Sequence, residues 1–241
     1  MSQWWEEMFA AEGWQCVQLG WESVEDAAEQ VDRLVEALQL EAGARVLDVP
    51  CGTGRIASRL AGRGYDVVGV DVTERFLEMA KTREDGARYE RLDMRELPFD
   101  GEFDAAICFW GSFGYFDDAG DLAQARAAAR ALKPGGRYLI DTPASETILS
   151  RFTERDWFEV EGTVVLQERS YSLGEGRVET EWTFLREGRR ESHRSSMRIY
   201  TLHELTELLG EAGFEAFEAR DDELAPFVLG SRRLWLVATK A

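Results

Sequence analysis

The sequence contains few of the residues on which metal and disulfide chemistry depend. Its 241 residues include only three cysteines and two histidines. So sparse and odd a cysteine count argues against a disulfide framework and favours a reducing compartment. We therefore expect Cys51 and Cys108 to be small buried hydrophobic residues, and we expect no bound metal.

Basic residues are also scarce, with 28 Lys and Arg against 46 Asp and Glu and a formal net charge of −18. This surplus disfavours nucleic acid and anionic membranes as partners, because both attract basic surfaces. The chain has no apolar run of about 18 residues, as a membrane span needs, and no signal-peptide pattern at its N-terminus. We predict a cytoplasmic protein, and its state as a monomer or homodimer is left open.

The sequence does contain a strand, a tight turn and a helix in succession. The apolar run at 46–49 suits a buried parallel strand and carries Asp48. Gly52 and Gly54 remove Cβ where the backbone must approach a ligand. A glycine turn between a strand's carboxyl end and a helix N-terminus is where open α/β sheets bind nucleotides.

Two ligand classes compete for this turn. Residues 52–57 satisfy the loose G-x-G-x-x-A dinucleotide pattern, and Asp71 follows about 20 residues later. A pyrophosphate would be repelled by the Asp48 carboxylate, whereas the ammonium of S-adenosylmethionine would be attracted to it, directly or through water. Asp71 can accept hydrogen bonds from both ribose hydroxyls. We prefer S-adenosylmethionine and keep an NAD-linked oxidoreductase as the alternative.

Further stretches make the pattern more specific. The chain resembles the class I S-adenosylmethionine-dependent methyltransferases of small-molecule type at residues 46–54, 69–73, 92–99, 103–116 and 132–137. The resemblance implies an α/β fold with a Rossmann-like, doubly wound, seven-stranded, mostly parallel sheet. We add an antiparallel insertion after strand 5. Pro50 departs from the family pattern, which usually has glycine there, and offers no N–H to the cofactor.

The resemblance also implies a set of cofactor-binding residues. Asp93 would accept from the adenine amino group, Met94 would lie on the ring, and the carbonyl near Phe109 would meet the cofactor's ammonium. The complete predicted set comprises Asp48, Pro50, Cys51, Gly52, Gly54, Asp71, Val72, Asp93, Met94 and Phe109.

The loop after the fourth strand is the candidate substrate site. Aromatic faces favour positive charge, so Trp110, Tyr115 and Phe116 could surround the reacting methyl group or a cationic amine; the alternative is core packing under a loop. The predicted substrate set comprises Trp110, Ser112, Tyr115, Phe116, Arg198 and Tyr200. A base is needed only for an acceptor that is protonated at rest, and Tyr115 and His193 are the catalytic candidates.

The remaining segments suggest a domain organisation. We predict N-terminal helices and a possible lid at residues 1–44, and the methyltransferase domain at residues 45–241. Within it, partial alternation at 164–172, 177–186 and 191–199 predicts three strands of an antiparallel insertion, at 150–199, covering the cofactor cleft. A dimerisation sheet is the alternative.

Helix boundaries can be predicted from capping residues. Ser23 and Asp26 predict the start of a helix at about 24–40, Thr73 predicts another, and Thr201 with Glu204 forms a capping box.

These features predict methyl transfer from S-adenosylmethionine to a small-molecule amine or hydroxyl by in-line displacement. A carbon-methylating quinone-type enzyme stays possible within that class. A non-catalytic S-adenosylmethionine-binding module is a further alternative.

Overall fold

A computed structural model of the chain describes residues 4–24, 27–84 and 86–241. These residues form the helices α1 (Trp4–Ala10), α2 (Glu12–Val24), α3 (Ala27–Leu38), α4 (Arg55–Ala61), α5 (Glu74–Lys81), α6 (Asp118–Ala131), α7 (Ser145–Ile148) and α8 (Leu202–Ala212). They also form the strands β1 (Arg45–Asp48), β2 (Asp66–Asp71), β3 (Arg88–Arg91), β4 (Phe103–Cys108), β5 (Leu132–Thr142), β6 (Arg155–Val160), β7 (Thr163–Ser172), β8 (Arg177–Arg186), β9 (Arg189–Arg198), β10 (Phe214–Arg220) and β11 (Leu234–Lys240). Within these ranges, no helix is long and apolar enough to cross a membrane.

The chain divides into two compact units. The larger contains Ala27–Ser150 and Tyr200–Ala241, and the smaller contains the described residues up to 24 together with Arg151–Ile199. This division differs from the predicted boundary at residue 44, because α3 groups with the larger unit. The segment at 150–199 was predicted to be part of one domain, but it groups with the N-terminal helices instead.

The larger unit is built on a seven-stranded sheet in the order β10-β11-β5-β4-β1-β2-β3. Strands β3, β2, β1, β4 and β5 run parallel, and β11 pairs antiparallel with both β5 and β10. The predicted fold class, a mostly parallel Rossmann-like sheet, is therefore confirmed. The reversed β11 lies between β5 and β10, so only β10 is at that edge of the sheet.

The core of the larger unit follows from the apolar runs of the sequence. Strand β4 is buried along nearly its whole length, as expected for a central parallel strand covered on both faces. Val31, Leu34 and Leu38 of α3 pack in one cluster with Leu60 of α4. The spacing of the three α3 residues, i, i+3 and i+7, places them on one face of the helix.

The predicted helix caps have different outcomes. Thr201 and Glu204 form the capping box at the start of α8, with the Glu204 N–H donating to Thr201 Oγ1 at 3.1 Å. Thr73 occupies the N-cap position of α5, but its side chain makes no cap hydrogen bond there. Asp26 lies outside the described residues, and the side chain of Ser23 is likewise not described.

The smaller unit contains a four-stranded antiparallel sheet in the order β6-β7-β8-β9. The sequence predicted three of these strands and missed β6, whose residues are mostly charged or exposed. Inside the unit, Met8 and Val17 from the N-terminal helices are buried with Val165 and Phe184 from the sheet. The N-terminal helices thus share a core with this sheet, and their action as a lid stays a prediction.

Candidate functional site

The ends of neighbouring parallel strands bring two acidic residues together. Asp48 ends β1 and Asp71 ends β2, and the two strands pair directly in the sheet. Asp48 is 2% exposed and Asp71 is 6% exposed. The carboxyl ends of adjacent parallel strands are the usual ligand-binding edge of such a sheet.

The glycine turn between these strands is tied to Asp71. The Gly52 N–H donates to Asp71 Oδ2 at 2.9 Å, and the Thr73 N–H donates to Asp71 Oδ1 at 2.8 Å. Burial raises the pKa of Asp71, while these two backbone hydrogen bonds work in the opposite direction. A carboxylate oxygen has more than one lone pair, so each oxygen keeps acceptor capacity for a ligand hydroxyl.

Asp48 has an unusual electrostatic environment. Its Oδ2 accepts from the Ala57 N–H at 3.2 Å. The pKa of Asp48 is raised to about 8: burial is the largest cause and the nearby Asp71 adds to it, while the Ala57 hydrogen bond and the Arg55 charge act in the opposite direction. Ionisation of the Asp48 carboxyl is favoured when a positive charge approaches it. The residues therefore fit a cationic nucleoside such as S-adenosylmethionine, whereas a pyrophosphate would meet two carboxyl groups.

The backbone of the turn has the freedom that glycine provides. Gly52 has a φ of +52° and Gly54 has a φ of +76°, both in the left-handed region. Pro50, which follows a cis peptide bond, precedes Cys51, whose N–H donates to the Val70 carbonyl at 2.8 Å. Burial raises the pKa of the Cys51 thiol, so this cysteine is a buried thiol and a poor nucleophile.

Replacing Gly54 with alanine should test this geometry. A Cβ there would lie 2.7 Å from Tyr89 Oη and 2.9 Å from Ala80 Cβ. We expect Gly54→Ala to lower the free energy of unfolding by about 3 kcal/mol, since overpacking adds to the backbone strain. Gly64→Ala is the control, because Gly64 has a φ of +89° with no atom within 4 Å of such a Cβ. Urea unfolding should show a loss of only about 1 kcal/mol there; equal losses would contradict the role of close packing.

Asp93 is held by Arg95, a residue with no role predicted from the sequence. Arg95 Nε donates to Asp93 Oδ1 at 3.0 Å, and Arg95 Nη2 donates to Asp93 Oδ2 at 2.6 Å. The hydrogen bonds from Arg95 hold the pKa of Asp93 below its usual value, although partial burial opposes them. The predicted adenine acceptor is thus an oriented, ionised carboxylate. Neighbouring Met94 is buried, and Val72 accepts from Arg91 Nε through its carbonyl at 3.0 Å.

The loop after β4 has internal contacts that bear on the predicted roles. Ser112 Oγ donates to the Phe109 carbonyl at 3.0 Å, so a cofactor ammonium would share this acceptor. Burial raises the pKa of the Tyr115 phenol well above its usual range. A phenol in that state is a poor base at neutral pH, and it suits hydrogen-bond donation better.

Two of the predicted aromatic faces already contact a cation. The guanidinium of Arg55 lies 4.4 Å from the ring centroid of Trp110, and that of Arg95 lies 4.2 Å from the ring centroid of Phe116. Neither arginine had a role predicted from the sequence. The available signal was their position, since Arg55 directly follows Gly54 and Arg95 stands two residues after Asp93.

Tyr200 is linked to the same loop through Asp121. Its hydroxyl donates to Asp121 Oδ2 at 2.9 Å, and the Phe116 N–H donates to Asp121 Oδ1 at 3.2 Å. The Tyr200 ring also lies 5.9 Å from that of Phe113. This buried tyrosine therefore orients the loop through Asp121, and a direct contact with substrate stays a prediction.

The other two predicted site residues lie in the smaller unit. His193 Nε2 is 3.0 Å from Glu191 Oε1, and Glu191 Oε2 accepts from the Gly13 N–H at 3.1 Å. Burial would raise the pKa of Glu191, but the hydrogen bonds from His193 and Gly13 lower it. Arg198 Nη1 donates to the Ile199 carbonyl at 2.8 Å and to that of Gly176 at 3.3 Å. The predicted roles of His193 and Arg198 stay predictions.

Comparison with known proteins agrees with this geometry. The family described as "Methyltransferase domain" matches residues 46–136. A putative methyltransferase, YqeM, from Bacillus subtilis is 29% identical over 80% of this chain and 82% of its own length. A dTDP-3-amino-3,4,6-trideoxy-alpha-D-glucopyranose N,N-dimethyltransferase from Streptomyces venezuelae is 29% identical over 82% of this chain and 84% of its own.

The fold has a solved counterpart. A crystal structure of a S-adenosylmethionine-dependent methyltransferase from Clostridium acetobutylicum superposes with a TM-score of 0.79 at 18% identity, covering 91% of this chain and 94% of that one. Residues 46–136 therefore match a methyltransferase domain in a chain that has this fold, and the aligned relatives indicate a methyltransferase that uses S-adenosylmethionine.

Proposed function

We propose that this protein transfers a methyl group from S-adenosylmethionine to a small-molecule amine or hydroxyl. The observation that carries the proposal is the pair of buried acids, Asp48 and Asp71, at adjacent strand ends around a glycine turn. When bound, the cofactor supplies an electrophilic methyl group on a positively charged sulfur. The alternative use of the turn, in an NAD-linked oxidoreductase, would place a pyrophosphate against the same two carboxyl groups.

Each residue at the strand ends has a proposed task in binding. Asp71 accepts from the ribose hydroxyls with the lone pairs that Gly52 and Thr73 leave open. Asp93, fixed in orientation by Arg95, accepts from the adenine amino group. The ionised form of Asp48 attracts the ammonium, directly or through water.

The acceptor side rests on the loop at 110–116. In a displacement with a good leaving group, the chain's main tasks are to orient the acceptor and to exclude water, and orientation can supply ~7–11 kcal/mol. Trp110, Ser112 and Phe116 are buried or half-buried in that loop and would form its walls. Tyr115 of the same loop donates a hydrogen bond to the acceptor.

An amine is the acceptor we favour. The Streptomyces venezuelae relative is named for N,N-dimethylation of an amino sugar, and it aligns over most of both chains. The net charge of −18 also suits a neutral or cationic acceptor better than an anionic one or a nucleic acid. We expect a cytoplasmic enzyme that acts as a monomer or homodimer.

The test separates three ligand and activity classes. S-adenosylhomocysteine should raise the melting temperature and bind with micromolar affinity by calorimetry, while NAD should do neither, because only a specific ligand stabilises by mass action. With S-adenosylmethionine as the methyl donor, a panel of amines, alcohols and thiols should then yield S-adenosylhomocysteine with at least one amine or alcohol. Stabilisation by NAD alone would contradict the proposal, and cofactor binding without turnover across the panel would favour a non-catalytic module.

A further inference from the structure

The backbone at the end of β4 has a conformation that its residue type resists. Trp110 has a φ of +64°, in the left-handed region, which side chains with a Cβ rarely adopt. Gly111, the next residue, has a φ of +71°. Strained conformations of this kind persist only when surrounding contacts over-determine them, and they cluster at functional sites. Contacts with neighbouring residues must therefore stabilise the backbone of Trp110 in this conformation.

An ion pair between residues at the ends of the paired strands β5 and β11 provides these contacts. Asp141, near the end of β5, is 1% exposed, and its Oδ2 accepts from the Trp110 N–H at 2.8 Å. The Gly111 N–H donates to the Asp141 carbonyl at 2.9 Å. Arg233, just before β11, donates from Nε to Asp141 Oδ1 at 2.5 Å and from Nη2 to Oδ2 at 2.8 Å. Arg233 therefore fixes the orientation of the Asp141 carboxylate, one oxygen of which accepts from the loop backbone.

The held segment lies at the proposed site. Phe109, whose carbonyl the family resemblance predicts to be an acceptor for the cofactor's ammonium, directly precedes Trp110. The Trp110 indole faces the Arg55 guanidinium, and Arg55 opens the helix that follows the glycine turn. A change in the Trp110 backbone would therefore displace both the Phe109 carbonyl and the indole.

We propose that Asp141 and Arg233 are positioning residues for methyl transfer. Their ion pair holds Trp110 in the left-handed conformation and so sets the Phe109 carbonyl and the Trp110 ring at the end of β4. This inference rests on the proposed function, and it adds two residues outside the stretches that carry the family resemblance. The planar fork of Arg233 is essential to it, because a lysine ammonium cannot hold both carboxylate oxygens in one plane.

Calorimetry with S-adenosylhomocysteine on single and double variants tests the inference. Arg233→Lys keeps the positive charge beside the buried Asp141, which Arg233→Met would leave unpaired at the risk of unfolding. We expect Arg233→Lys to weaken binding about tenfold, because the carboxylate is free to rotate away from the Trp110 N–H. Arg232→Lys is the matched control, because Arg232 is exposed and pairs with Asp222 rather than with Asp141. Its affinity should equal that of the wild type.

A glycine at position 110 distinguishes positioning from direct contact. Glycine adopts positive φ without a Cβ penalty, so its backbone has little need of the ion pair. In the Trp110→Gly background, Arg233→Lys should therefore change the affinity less than twofold. An equal loss in both backgrounds would mean that Arg233 acts on the ligand itself, and that result would overturn the inference. An unchanged affinity of Arg233→Lys in the wild-type background would also overturn it.

Urea unfolding of the wild type, Arg233→Lys, Trp110→Gly and the double variant supplies a measurement without ligand. Arg233→Lys should lower the denaturant midpoint clearly in the wild-type background and much less in the Trp110→Gly background. If the wild type binds no S-adenosylhomocysteine, the proposed function fails and this inference fails with it. If the wild type binds and the midpoint shifts are equal in both backgrounds, only the inference fails.

Discussion

Asp71→Ala is expected to lower the affinity for S-adenosylhomocysteine by about 100-fold or more. A carboxylate that accepts from two ribose hydroxyls makes charge-assisted hydrogen bonds, each worth about 1.5–3 kcal/mol. The same substitution removes the acceptor of the Gly52 N–H, whose bond to Asp71 Oδ2 is 2.9 Å long. Calorimetric titration measures the combined loss, and circular dichroism checks that the variant is folded.

Two further variants separate these contributions. Asp71→Asn keeps one oxygen that can accept from Gly52 but loses the charge, so its affinity should fall between those of the wild type and Asp71→Ala. Asp66→Asn is the control, because Asp66 lies at the opposite, exposed end of β2. It should bind as the wild type does. Normal affinity in both Asp71→Ala and Asp93→Ala would refute the assignment of these two acids.

Asp48→Asn is expected to give a more stable protein that binds its cofactor less well. Mainly because of burial, the pKa of Asp48 is raised to about 8, so ionisation of Asp48 destabilises the folded protein. The amide can still accept from the Ala57 N–H and carries no charge. We expect the free energy of unfolding at pH 8 to rise by about 1–3 kcal/mol, the exchange of stability for function common at binding sites.

The difference in unfolding free energy between Asp48→Asn and the wild type should depend on pH. Between the ordinary pKa of a carboxyl, about 4, and the folded value of about 8, the folded protein binds a proton that the unfolded chain has released. Asp48 therefore makes the wild type less stable as the pH rises through this window. The stability advantage of Asp48→Asn should grow from pH 4 to pH 8 and then level off, as measured by urea unfolding. An advantage that shrinks with rising pH would contradict a buried, protonated Asp48.

Ligand binding should show the opposite preference. A cationic ligand favours the ionised carboxylate, so binding of S-adenosylmethionine at pH 7 should release a proton to the buffer. Calorimetry in two buffers of different ionisation enthalpy measures that proton. The release should be absent in Asp48→Asn, and its persistence there would assign the proton to another group.

The positions of the key acids could be predicted from the sequence for a local reason. A buried parallel strand is a short continuous apolar run, and the residue that ends it stands at the ligand-binding edge of the sheet. Asp48 and Asp71 both end such runs, and the structure places both there. The capping box at Thr201 was equally readable, because all its hydrogen bonds lie within four residues.

Strand β6 was missed because its alternation is weak. It is an edge strand that leaves Trp157 65% exposed, and most of its other residues are charged. An edge strand needs only one partner and little burial, so charged side chains are tolerated along it. Its pairing with β7 stabilises it, and that pairing is not visible in the six residues themselves.

The sequence by itself determined the class of fold, the glycine turn and the acids at the strand ends, because periodicity, turn chemistry and strand length are local properties. Only the tertiary structure decided that Arg95 orients Asp93 and that Arg233, 92 positions away, fixes Asp141 beside Trp110. It also decided the proton affinity of Asp48. Burial and long-range pairing exist only after the chain has folded, because they depend on which distant segments enclose a side chain.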